Sequence, residues 1–167
     1  LIRTKIKEII GELEDSKKNL YTDNCILNSV LNIKYSAAQV ADIKIESNIF
    51  VPKYMNIDYG DMGVLFGNLL DNAIEANQGV DRKKRWINVS VKYEEHILII
   101  NIKNSKIRGS RRKKKGYLNH GIGLNSVKQI VEKFNGIVEV QDFGEMYEVS
   151  AILYGICDDK DLGKSVL

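Results

Sequence analysis

The sequence predicts an α/β fold, a two-layer α/β sandwich in which helices cover one face of a mixed sheet, and three observations predict it. Helical and alternating periodicities succeed one another along the chain. FGNLLDNAIEAN at 66–77 belongs to a helix with an apolar arc broad enough to cover a sheet. ILIINIKN at 97–104 is apolar enough for a central strand. With 167 residues, 44% of them hydrophobic, the chain suffices for one domain with a real core and not for two.

The elements follow in order. Residues 1–20 place Ile2, Ile6, Ile9, Ile10, Leu13 and Leu20 at near-helical spacing among many charges, the pattern of an amphipathic helix or coiled-coil end. A second helix runs from Thr22 or Asp23, as N-cap, to about Ala41. Residues 43–49 alternate as a strand and Pro52 closes it. Asp58 or Asp61 starts the next helix, which stops near Asn77, Gln78 and Gly79. A charged turn at 82–85 precedes a hairpin of 86–93 with 97–104, turning at Glu94, Glu95 and His96. An irregular segment at 105–120 follows, of a length that is usually functional or disordered. Gly121 then opens a helix to about Phe134, ended by Asn135 and Gly136. A last hairpin, 137–143 with 146–154, turns at Gly144, and the tail from Cys157 is polar and frayed. The domain plan is a helical appendage at 1–20, one catalytic unit at 21–156 and a tail at 157–167.

Composition excludes several functions. Cys25 and Cys157 lack CxxC spacing and only His96 and His120 could join them, which disfavours zinc and leaves two reduced, buried thiols as the expectation. No apolar run reaches membrane-span length, no signal-peptide pattern opens the chain, and its first residue is leucine, so it reads as a fragment of a longer protein. The net charge of +3 is uneven: Lys103, Lys106, Arg108, Arg111, Arg112, Lys113, Lys114 and Lys115 fall together with no acid between them, and the remainder is net acidic. A nucleic-acid binder would spread its cations over several elements, so none is expected as partner.

Two stretches carry chemistry. In the helix at 66–77 the arc opposite the apolar one holds Asp61, Asn68, Asp71, Asn72 and Glu75, with Asn68, Asn72 and Glu75 within about 60° of one another. Asparagine is a mediocre helix former, so two of them one turn apart face either solvent or a ligand. At 120–124, HGIGL ends the long loop and begins a helix, where free backbone N–H groups and the helix dipole favour an anion and glycines allow it close. A tight loop-to-helix turn reads equally well there. There is no strand just before the glycines and no GK[ST], which disfavours a dinucleotide fold and a P-loop.

Together, the NxxxN helix, the strand ending in Asn104, the basic loop and the glycine-opened helix occur in the order and spacing of the GHKL ATPase superfamily. FGNLLDNAIEAN resembles its N box, and NHGIGLNSVKQIVEKFNG at 119–136 resembles the second glycine box and following helix of sensor histidine kinases. TDNCILNSVLNIKYSAAQVADIKIE at 22–46 looks like the segment ahead of the N box in peptide-sensing, Agr-type kinases. The resemblance covers about 22–155 and implies a Bergerat-type fold binding ATP and Mg²⁺. It implies that Asn72 coordinates the metal through its side-chain oxygen, a hard ligand for a hard cation. Asn68 would contact phosphate or position the attacking group, Gly121, Ile122, Gly123 and Leu124 would receive the phosphates, and His120 would stand beside them. It further implies a phosphoacceptor helix, a response regulator, a homodimer in the full-length protein, and a cytoplasmic domain of a membrane-anchored sensor.

Two departures stand out. The DxGxG box, whose Asp accepts from the adenine amino group, is replaced by Asn104, Ser105 and Lys106; an amide oxygen still accepts, at a loss on the order of 1 kcal/mol. Glu75 stands where many kinases carry a base toward the phosphates, which leaves Lys106, Arg108 or residues 111–115 to supply positive charge. Residues 1–20 contain no histidine, so this stretch carries no phosphoacceptor of its own. The rival readings are a GHKL ATPase or anti-sigma-type serine kinase, a binding module using 106–115, and a degenerate kinase module serving only in assembly. Asn68 in place of a glutamate disfavours hydrolysis, because an amide cannot take a proton from water.

Overall fold

The computed structural model describes residues 19–109 and 121–158. The amphipathic helix expected at 1–20, most of the basic loop and the end of the tail fall outside them, and so does His120.

Asn24, rather than Thr22 or Asp23, caps the first described helix, α1 (Cys25–Val40), its side chain accepting from Leu27 N at 3.0 Å. Strand β1 (Lys44–Phe50) follows. Helix α2 (Tyr59–Ala76) begins at Asp58, whose carboxylate accepts from Gly60 N and Asp61 N. The turn at 82–85 contains a short 3₁₀ helix (Arg82–Lys84) capped by Asp81. Strands β2 (Trp86–Glu94) and β3 (Ile97–Ser105) form the expected hairpin, with Glu95 and His96 at φ 47° and 67°. Two left-handed residues in succession match the twist of a two-residue hairpin turn. Helix α3 (Gly121–Lys133) ends on Asn135 at φ 50°, and β4 (Ile137–Asp142) turns through Gly144 at φ 87° into β5 (Met146–Tyr154).

The sheet order is β1-β2-β3-β5-β4, parallel only between β1 and β2. ILIINIKN is therefore the central strand. On one face Ile87, Val89, Val91, Leu98, Ile100, Ile102, Val149, Ala151 and Leu153 are buried. Their alternate neighbours, among them Asn101, Lys103, Glu148 and Ser150, form a polar ladder on the other, with Asn101 Nδ2 donating to Glu148 at 2.6 Å. The helices cover the apolar face, with α2 in the middle over β3 and flanked by α1 and α3. Met62, Leu65, Phe66, Leu69, Leu70 and Ala73 of α2 are each at most 2% exposed. That apolar arc is what nucleates a single core shared by all three helices and the sheet.

Two expectations are corrected. Cys25 is exposed and Cys157 half-buried, because Cys25 lies on the outer side of the first turn of α1 and Cys157 follows the end of β5, beyond the sheet ladder. The start of the tail is not frayed: Asn56 N donates to Cys157 O at 3.1 Å, Cys157 N to Asn56 Oδ1 at 2.8 Å, and Met55 bridges Asp158. Between α1 and β1, Tyr35 packs edge-on against Tyr21 at 4.7 Å, and burial pushes its phenol up to about 12 against the opposing pull of Ser47.

If α2 is the hub of the core, Phe66→Ala destabilises the domain by about 3–5 kcal/mol in denaturant unfolding. Ile33→Ala, at a position 66% exposed, changes stability by less than about 0.5 kcal/mol.

Candidate nucleotide site

Two contacts fix how α3 lies on α2. Lys133, at the end of α3, donates to Asp61 in the first turn of α2 at 2.9 and 3.0 Å. Gly123, near the start of α3, faces Asn68: a Cβ built there would meet Asn68 Oδ1 at 3.4 Å and Asn68 Cγ at 3.7 Å. The helices are therefore antiparallel. The opening turn of α3, with its unpaired N–H groups and positive dipole end, points along α2 toward Asn72 and Glu75. Asn72 lies one turn, about 6 Å, beyond Asn68. It is half-buried, with Nδ2 sealed from solvent, while Glu75 is exposed. Leu124, in the opening turn of α3, is half-buried.

The far wall comes from the sheet. Ser105, the last residue of β3, donates its hydroxyl to Asn77 Oδ1 at 2.5 Å and accepts from Trp86 N at 3.0 Å. Asn77, the C-cap of α2, returns Nδ2 to Ala73 O at 2.9 Å. Both side chains are buried, so the ends of α2 and β3 are locked together through a satisfied polar network. Asn104, 2% exposed, sits at that junction with Nδ2 donating to Ser105 O at 2.9 Å. Gly79, at a φ of 88° that favours glycine, backs onto Ile107: a Cβ there would stand 2.7 Å from Ile107 Cδ1, so the chain leaving α2 lies against the side chain of the segment leaving β3.

Asn68 and Gly123 thus meet where α3 lies on α2, Asn72 and Glu75 follow one and two turns further along α2, and Asn104 precedes the Ser105 that is bonded to the C-cap of α2. Lys106 stands apart from them. Its side chain is 10% exposed, its ammonium pairs with Asp142 Oδ2 at 2.5 Å and lies 6.0 Å from the centre of the Tyr147 ring, and its backbone N–H donates to Glu145 O. This anchors the root of the basic segment to the β4–β5 turn. Lys106, then Gly144 N, hold the Asp142 carboxyl below the usual carboxylate range. From the other side an open groove of about 390 Å³, lined by Val30, Ile33, Val64, Gly63 and Gly67, runs up to Asn68.

Sequence reasoning missed part of this. Asp61 and Asp71 shared the polar arc with the asparagines, yet they are used in pairs, Asp71 with Lys34 at 2.7 Å and Asp61 with Lys133. Asn77 read as a helix stop and Ser105 as the start of a loop. The only signal available was their polar character at the ends of two strongly apolar elements.

A family model described as the GHKL domain matches residues 57–153. The chain belongs to the GHKL domain family. The match spans α2 to β5 and leaves α1 and β1 outside it. The chain is 32% identical over 95 residues to a probable C4-dicarboxylate sensor kinase of Bacillus subtilis, covering 51% of this chain and 18% of that protein. Among solved structures, the catalytic domain of histidine kinase ThkA superposes with TM-score 0.62 at 15% identity, over 79% of this chain and 91% of its own. The Acinetobacter baumannii histidine kinase AdeS gives 0.58 at 16% identity, over 78% and 64%. Full-length ShkA in complex with AMPPNP gives 0.61 at 14% identity, over 81% and 30%. At these identities the likeness is one of fold, and this GHKL domain has the fold of histidine kinase catalytic domains.

The folded-state pKa of Asp142 lies below its unfolded value, about 3.9, so the stability that it contributes is present above that value and is lost as pH falls through the folded one. Asp142→Asn therefore lowers the melting temperature at pH 7, and the difference from the unaltered chain shrinks as pH falls below about 3.9.

Proposed function

We propose that this GHKL domain is the ATP-binding catalytic domain of a sensor histidine kinase and transfers the γ-phosphoryl group of ATP to a histidine that is not part of this chain. The observation that carries the reading is the antiparallel seat of α3 on α2. It aims a glycine-opened helix N-terminus at the asparagine arc, giving an anion site opposite neutral oxygen ligands. The family match and the histidine kinase fold support it.

In this reading the triphosphate lies between Asn68 and Asn72 of α2 and the backbone at Gly121, Ile122, Gly123 and Leu124, with the base against Asn104. Lys106 and Arg108 would lie on the loop side and Glu75 at the rim, with the cations of 111–115 and His120 expected to add positive charge there. The donor set suits Mg²⁺ carried in on phosphates: Asn72 offers one neutral amide oxygen, and an ion of this kind keeps water and phosphate oxygens for the rest of its shell. When bound, Mg²⁺ neutralises charge on the phosphate oxygens. The chain's own residues then position. Asn68 orients the γ-phosphate, the first turn of α3 stabilises its charge, and Asn104 accepts from the base. The bond from γ-phosphorus to the bridging oxygen breaks, a phosphorus–nitrogen bond forms to the acceptor imidazole, and ADP leaves. The Asn68 amide cannot take a proton from water, which favours transfer over hydrolysis.

The kinase reading extends to partners: a helix bearing the phosphoacceptor, a response regulator, and a second copy in the full-length protein, which would place this domain at the cytoplasmic face of a membrane-anchored sensor. No helix among the described residues is long and apolar enough to cross a membrane.

Calorimetric titration tests the site. The chain binds ATP with Mg²⁺, and Asn72→Ala weakens that binding about tenfold or more while leaving metal-free ATP binding unchanged, as expected for loss of an interaction worth about 1.5–3 kcal/mol. Equal binding by both with Mg²⁺ present overturns the metal site. Labelled ATP leaves no stable phosphate on the chain, and steady ATP turnover would favour the ATPase reading.

A further inference from the structure

The sheet ends on two edge strands, β1 and β4, and they are not alike. At β1 the chain entering α1 lies close by, with Asn19 and Tyr21 lining a cavity together with Ile45 and Ser47 of that strand. Among the described residues no backbone group bonds to the outer edge of β4. Phe143 N donates to Met146 O at 2.9 Å, which makes 143 and 146 a hydrogen-bonded pair. In the register that continues from it, Ile137, Glu139 and Gln141 also turn their N–H and C=O toward β5, so those of Val138, Val140 and Asp142 point outward. Such a row of backbone groups is a template for another strand. Three large apolar side chains stand beside it, Ile137 at 56%, Val140 at 43% and Phe143 at 56% exposed. A charge on an edge strand normally guards against pairing, but the charge of Asp142 is balanced by Lys106 of the same chain.

We propose that the outer edge of β4 is a surface for a second copy of this chain, the two strands pairing antiparallel about a two-fold axis at Val140 to make one continuous sheet. The strand's own sequence selects this occupant, because it is complementary to itself in that register. With Val140 opposite the partner's Val140, the outward N–H and C=O groups of Val138, Val140 and Asp142 all find partners. Ile137 then stands opposite the partner's Phe143, so the exposed apolar side chains cover one another. Glu139 stands opposite the partner's Gln141, whose amide can donate to the carboxylate. A shift of two residues either way loses this match: centring on Glu139 sets two carboxylates face to face, and centring on Gln141 sets Glu139 against the partner's Phe143. Val140 lies on the face that the helices cover and is still 43% exposed, so α3 leaves that edge open. A pair of six-residue strands is a smaller interface than that of a permanent dimer, and the pairing therefore forms at high protein concentration.

Sedimentation velocity of the chain from about 10 µM to about 1 mM tests the proposal. The sedimentation coefficient rises with concentration toward that of a dimer. Val140→Pro removes an outward donor and no bond to β5, at an edge position where proline is tolerated, and weakens association about tenfold or more. Val140→Lys and Val140→Glu bring like charges together on the axis, so each sediments as a monomer, and a one-to-one mixture of the two associates again. Circular dichroism matching the unaltered chain shows that a variant is folded; if Val140→Pro is not, the charged pair carries the test. A chain that stays monomeric to about 1 mM overturns the proposal. So does association untouched by the folded variants, which is what pairing through β1 or through the open sheet face would give, and so does a mixture that stays monomeric. Position 140 lies outside the proposed nucleotide site, so none of these outcomes bears on the kinase reading.

Discussion

The hydrogen bond from Ser105 to Asn77 ties the end of the central helix to the end of the central strand, and the candidate site is built on that tie. Helix α2 is held at its other end by Asp61 on Lys133 and along its length by core packing. The ion pair is partly exposed and contributes little by itself, of the order of 1 kcal/mol or less. The apolar arc supplies the stability, and the polar contacts at its two ends set where the helix stops and which neighbour it meets. Without the Ser105 contact, α2 and β3 would still pack, and the polar tie from the end of α2 to the sheet would rest on the longer bond from Asn77 Nδ2 to Trp86 O at 3.4 Å.

Much of the fold was legible in the sequence because its signals are local and periodic. The arc from Met62 to Ala73, the alternation of 86–93 and 97–104, and the stop at Asn135 and Gly136 each depend on residues within a few positions of one another, and the elements appear within a residue or two of where they were expected. The centrality of ILIINIKN followed from its being the most apolar strand of the chain.

The site was legible only in part. Asn68 and Gly123 were singled out by composition, and the structure puts them in contact across 55 positions of sequence. Asp61 and Asp71 could not be separated from the asparagines by wheel position, because their partners Lys133 and Lys34 lie on other helices. Asn77 and Ser105 carry no periodic signal and are paired across 28 positions. The thiols were expected to be buried because cysteine usually is, and Cys25 is exposed because the first turn of α1 faces outward there. Lys106 shows the same limit, a cation in a basic run whose partner, Asp142, belongs to a different hairpin.

The central claim is that one end of the α2–β3–α3 layer receives a nucleotide. Amide hydrogen exchange of the whole chain with and without ATP and Mg²⁺ tests it most directly. The account predicts slowed exchange at 68–77, 104–106 and 121–124 together, with the open face of the sheet unchanged. Protection confined to the basic segment at 108–115, or absent at α2 and α3, would contradict it.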